Sequence, residues 1–140
     1  MLDAKVYAEA LNGIENVTCY GFFDGITSLP LQDFNIFLYT SQWDGMPTIL
    51  MDAIAAGLPI VASDVGGVGE VIVHEKTGFL VRPFDDVTAY VNCLKRIHDN
   101  MDILPGIVDS AYDLIISRHS WERFVESLIM MPGYITKQQS

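Results

Sequence analysis

NIFLYTSQWDGMPTILMDAIAAGLPIVASDVGGVGEVIVHEKTGFLVRP, residues 35–83, is the stretch that decides the fold. Residues 35–40 form a short run rich in aromatic and aliphatic side chains, the composition of a buried strand. A polar loop follows over 41–45, then Pro47, which a first helical turn tolerates. A helix fits residues 47–56; Gly57 stops it and Pro59 bars its continuation. Residues 60–62 make the next strand, 63–67 a loop, and a short helix runs through Ile72. Thr77 and Gly78 turn the chain into a third strand, residues 79–81, which Pro83 ends. Strand, helix, strand, helix, strand at this spacing is a right-handed parallel βαβ pattern.

On the amino-terminal side, Val6, Ala10 and Leu11 followed by Asn12-Gly13 predict a helix over 3–12. Residues 17–20 (VTCY) are β-branched and aromatic and predict a further strand, with 21–25 as its loop. Residues 26–32 predict a short helical turn interrupted at Pro30. On the carboxyl side, 85–100 predict an amphipathic helix with Val87, Val91, Leu94 and Ile97 on one stripe and Lys95-Arg96 in its last turns. Residues 102–118 predict another, with Ile103, Ile107, Ala111, Leu114 and Ile115 inward. Ser120 suits the N-cap of a third, running towards Met131 and ended by Pro132-Gly133, before a frayed polar tail at 137–140. The sum is a doubly wound α/β sheet of about four parallel strands, with ligands bound outside the carboxyl ends of the strands. Loops 21–25, 41–46 and 63–67 all leave strands on that edge.

At 140 residues the chain is long enough to bury the core of one domain, residues 1–140. No stretch is long and uncharged enough to span a bilayer, and the first residues lack the pattern of a signal peptide. Cys19 and Cys93 have no metal-like spacing and are expected as buried thiols of a cytoplasmic protein. The formal net charge of −10 argues against nucleic acid or anionic lipid as partners. No Lys or Arg occurs between Lys5 and Lys76, so an anion at the 41–67 loops is expected to be neutralised by backbone N–H groups or by residues outside that stretch. His74, His98 and His119 are scattered, which predicts no metal site, and no cofactor is expected.

The decisive stretch resembles the donor-binding core of family-4-type retaining glycosyltransferases of the GT-B fold. Members show an acid, Gly, a small or apolar residue, Pro, and a second acid eight positions after the first. Asp44, Gly45, Met46, Pro47 and Asp52 hold those places, and the match continues through 53–59, Gly66-Gly67, Glu70 and 77–81. The resemblance implies a Rossmann-like sheet forming the carboxyl-terminal half of a GT-B fold. It also implies a missing amino-terminal acceptor domain, and a missing first strand and helix that carry basic residues for the donor diphosphate.

The start of the 47–56 helix exposes backbone amides and the positive end of its dipole, a natural seat for an anion. By resemblance, Thr48 and Ile49 hold the diphosphate of the donor and Asp44 faces the transferred sugar. A carboxylate there would steady positive charge developing at the anomeric carbon; read from the residues alone, Asp44 is equally a loop residue capping the helix. Asp52 interrupts an apolar run, so it is expected as an acid on a mostly buried helix, where an unpaired charge is costly. The resemblance gives it ribose hydroxyls to accept from. Phe23 stands where relatives contact the base, although a core or rim Phe is the commoner outcome. By resemblance Gly66-Gly67 is a flexible loop ending near the sugar; read alone, it is only a tight turn opening a helix.

Both acids are Asp where the family has Glu, about 1 Å shorter, and a misplacement of that size can cost roughly a hundredfold in rate. The expected function is retaining transfer of a hexose from a UDP-, GDP- or ADP-linked sugar to an acceptor, with this chain alone inactive. The alternative is a non-catalytic nucleotide-binding or assembly module that keeps the fold, which the two shortened acids favour.

Overall fold

The computed structural model describes residues 9–133. Three strands, β1 (Phe37–Tyr39), β2 (Ile60–Ser63) and β3 (Phe79–Val81), form one sheet in the order β1-β2-β3. Both pairings are parallel, with Phe37 opposite Ile60 and Val61 opposite Phe79. Helix α1 (Thr48–Ala55) links β1 to β2, and the single-turn α2 (Val68–Val71) lies between β2 and β3. Three helices follow: α3 (Val87–His98), α4 (Leu104–His119) and α5 (Trp121–Met130).

Helices cover both faces because β2 is apolar on both. Successive strand residues point to opposite sides. Ile60 and Ala62 pack with Leu50, Ala53 and Ile54 of α1, Val68 and Val71 of α2, and Ala111 and Ile115 of α4. Val61 packs on the other side with Phe79 and Val81 of β3, Tyr90 and Ile97 of α3, and Leu104 and Ile107 of α4. The long α4 therefore contributes its first half to one core and its second half to the other. A fully buried side chain such as Leu50 is worth about 1.5–3 kcal/mol relative to exposure.

The helix ends follow their local chemistry. Asp86 caps α3 by accepting from the Ala89 amide at 3.0 Å, and Lys95, Arg96 and His98 sit in its last turn. Ser120 caps α5, its hydroxyl accepting from Arg123 N at 3.4 Å. Pro47 is the N-cap of α1 and sits one residue outside it. Two 3₁₀ turns, Ile26–Ser28 and Leu31–Asp33, flank Leu29 and Pro30, as the interrupted turn at 26–32 requires.

Several expectations are corrected. Residues 17–20 form no strand: Val17 and Tyr20 are exposed, and a strand exists only where a neighbour supplies its ladder. The described sheet thus has three strands, one fewer than the pattern suggested. On α3 the inward face is Tyr90 and Ile97 with Cys93 and Leu94 beside them, while Val87 is 73% exposed and Val91 points outward. Ile103 is exposed in a 3₁₀ turn before α4. Of the helix expected over 3–12, residues 9–11 are helical and residue 12 is a turn; residues 3–8 and the 137–140 tail lie outside the described residues.

Candidate functional site

The carboxyl edge of the sheet is built from the loop after β1 and the loop after β2, and the two are locked together. Ser63, wholly buried at the end of β2, donates its hydroxyl to the Ser41 carbonyl at 2.6 Å. Gly67 N donates to the Asp44 carbonyl at 3.1 Å. A Cβ on Gly66 would lie 1.8 Å from the Asp44 carbonyl oxygen, and one on Gly67 would lie 1.7 Å from that of Gly45. Gly66-Gly67 is therefore a tight turn opening α2, as the residues alone suggest, and also a close backbone approach.

Asp44 is half-buried in this arrangement. The Tyr39 hydroxyl, from the last residue of β1, donates to its Oδ2. Burial pushes the Tyr39 phenol above its ordinary value and the bond to Asp44 pushes it further, so it remains a protonated donor at neutral pH. The sequence reading missed this pair; five-residue spacing from a strand end across a tight loop is the only signal that could have shown it.

Helix α1 starts three residues after Asp44's neighbour Gly45. It has no side-chain N-cap bond, and its first acceptor use is Leu50 N to the Pro47 carbonyl at 3.1 Å. Among the described residues the Thr48 and Ile49 amides take no acceptor, which leaves two of the helix's orphan donors open. Gly45, Met46 and Thr48 are exposed and Ile49 is half-buried. The edge thus gathers a pinned carboxylate, exposed small backbone and open N–H groups.

Asp52 is exposed, on the outer side of α1. The expectation of an acid on a mostly buried helix fails, because α1 buries only Leu50, Ala53 and Ile54. No desolvation cost then calls for a partner at Asp52. Phe23 is partly exposed and Phe22 fully so, and no hydrogen bond ties residues 21–24 to the 41–46 and 63–67 loops. A cation from outside the Lys5–Lys76 stretch does reach the edge: Arg82, directly after β3, pairs with Asp64 in the loop after β2. Spacing along the chain does not show that the sheet sets residue 82 beside residue 64.

The histidines lie elsewhere. His74 accepts at Nδ1 from Leu80 N at 2.9 Å and serves the β3 turn, and His98 is on the exposed end of α3. Among the described residues no three His, Cys, Asp or Glu side chains group to hold a metal, and no helix is long and apolar enough to cross a membrane. Cys19 and Cys93 are both free and half-buried.

The family described as "Glycosyl transferases group 1" matches residues 2–100, a span that includes both loops and α1. The chain belongs to this family. The group 1 glycosyltransferase fold recurs in solved structures. The C-terminal domain of a group 1 protein from Francisella tularensis superposes with a TM-score of 0.61 at 21% identity, covering 72% of this chain and 52% of that one. Anabaena HepE in complex with UDP gives 0.59 at 22% identity, covering 67% and 28%. These place the domain as the Rossmann-like carboxyl-terminal half of a GT-B fold. Among curated relatives, the Escherichia coli UDP-Gal:alpha-D-GlcNAc-diphosphoundecaprenol alpha-1,3-galactosyltransferase is 28% identical over 94 residues, 67% of this chain and 24% of that protein. This group 1 chain therefore spans about a quarter of that relative's length.

Proposed function

We propose that residues 1–140 form a domain binding a nucleotide-diphosphate sugar at the carboxyl edge of the sheet. In a complete enzyme it would serve retaining transfer of a hexose to an acceptor held by an amino-terminal domain. The observation that carries this is the pair of open amides, Thr48 and Ile49, beside a loop fixed by Gly66 and Gly67. Such a helix start suits a diphosphate. Asp44 would face the transferred sugar, where a carboxylate lowers the cost of oxocarbenium character. Asp52, exposed on α1, would accept from ribose hydroxyls; Gly45 and Met46 would line the donor and Phe23 the base. Similarity to a UDP-Gal-dependent transferase and to a protein seen with UDP supports a uridine donor ahead of GDP- or ADP-sugars. No metal or other cofactor enters this scheme. The two free thiols suit a reducing, cytoplasmic setting. Because the chain spans a quarter of that relative, it is expected to bind donor and not to turn it over alone.

Calorimetric titration with UDP, GDP and ADP, beside an Asp52→Ala variant, tests the reading. UDP is expected to bind, and the substitution to weaken it about tenfold, the scale of one charge-assisted hydrogen bond. Equal binding of all three with no effect of Asp52→Ala, or no binding at millimolar ligand, would contradict it. Nucleotide binding without any transfer in a complete protein would favour the non-catalytic module, to which the two shortened acids already point.

A further inference from the structure

The 41–46 loop is fixed through its backbone, by Ser63 on Ser41 and by Gly67 on Asp44. Backbone anchoring leaves the torsions of the Asp44 side chain free, and a free carboxylate loses part of its value in ordering itself on a ligand. Tyr39 removes that freedom. Its ring rises from β1, where Tyr39 is in register with Ala62 of β2, so the hydroxyl is delivered from the sheet itself. Among the described residues Tyr39 is the side chain bonded to the Asp44 carboxylate; Oδ1 has no hydrogen bond.

We infer that Tyr39 is a positioning residue for Asp44, holding Oδ2 so that Oδ1 is presented to the donor sugar. The inference rests on the proposed placement of Asp44 at the sugar. It also gives the shortened acid a physical sense: the reach lost from Glu to Asp is matched by a side chain that keeps the carboxylate in one orientation. Nothing in this assigns Tyr39 a contact with the donor. Its effect passes through Asp44 and should be confined to the sugar, since the diphosphate is held by the α1 amides.

Two measurements on the 140-residue chain test it, with Tyr39→Phe, Asp44→Asn and the double variant matched for melting temperature. In the first, 13C NMR of ring-labelled tyrosine follows the Tyr39 phenol through alkaline titration. Asp44→Asn is expected to lower its midpoint while burial still keeps it above the ordinary ~10. A midpoint unmoved by Asp44→Asn overturns the pairing. In the second, UDP-galactose and UDP are titrated against each protein. Tyr39→Phe should weaken UDP-galactose about tenfold and change UDP by less than about twofold, with the double variant no weaker than Asp44→Asn. Equal losses for both ligands, or losses that multiply in the double variant, overturn positioning through Asp44. If the unaltered chain binds neither ligand, the donor-site reading fails, and the presentation of Oδ1 with it, while the phenol titration alone decides the Tyr39–Asp44 pair.

Discussion

Residues 17–25 and residues 37–48 have the same outline: an apolar, partly aromatic run, then a glycine-containing loop with an acid in it. The second run becomes a strand in register with β2, and its loop is held by Tyr39, Ser63 and Gly67. The first forms no strand, with Val17, Tyr20, Phe22 and Phe23 exposed. What separates them is the neighbour: a strand and the loop leaving it are only as ordered as the ladder beside them.

The widest separation between these regions should appear in stability. Leu50→Ala, at a wholly buried position of α1, should cost about 3 kcal/mol in urea unfolding, whereas Val17→Ala, at 40% exposure, should cost less than about 0.5 kcal/mol. A comparable cost at Val17 would show that residues 17–20 are packed after all. Glycines sharpen the contrast. Gly67→Ala forces a Cβ onto the Gly45 carbonyl and should cost about 2 kcal/mol or more by the same measurement. Gly21→Ala meets nothing within 4 Å and should cost about 1 kcal/mol, from its left-handed φ of +71° alone. Ser63→Ala leaves the Ser41 carbonyl without its donor and should cost about 1 kcal/mol.

The smallest effect is on pH dependence. The phenols of Tyr39 and Tyr90 are both pushed up, burial being the first cause in each. The folded state therefore prefers the neutral phenol. That contribution is complete below the unfolded value of ~10 and is lost as pH rises through the higher folded values. Melting temperature followed into alkali should fall less steeply for Tyr39→Phe than for the unaltered chain; an unchanged slope would remove Tyr39 from the titration.

Much of the ordered region was legible beforehand. Residues 79–81 are β3 to the residue, and α1, α5 and the 3₁₀ pair stand where proline, glycine and serine punctuation put them. Periodicity failed where it could not know the neighbour: VTCY has strand composition without a ladder, and Val87 and Val91 have helical spacing on the exposed side of α3. Site residues were legible as positions and less so as environments. Asp52 read as a costly buried acid and is exposed. Gly66-Gly67 read as a tight turn and is also a contact between two backbones. Tyr39 with Asp44, and Asp64 with Arg82, are pairs made by the sheet edge, which spacing along the chain does not reveal.

The central claim is that the carboxyl edge holds a nucleotide-diphosphate sugar through the start of α1. An amide-resolved NMR titration of the isotope-labelled chain with UDP-galactose tests it most directly. The account predicts saturable shifts centred on Gly45, Thr48, Ile49, Gly66 and Gly67, with the amides of Val87 and Leu104, at the starts of α3 and α4, unmoved. Saturable shifts centred on α3 or α4 instead, or none at those five amides, would contradict it.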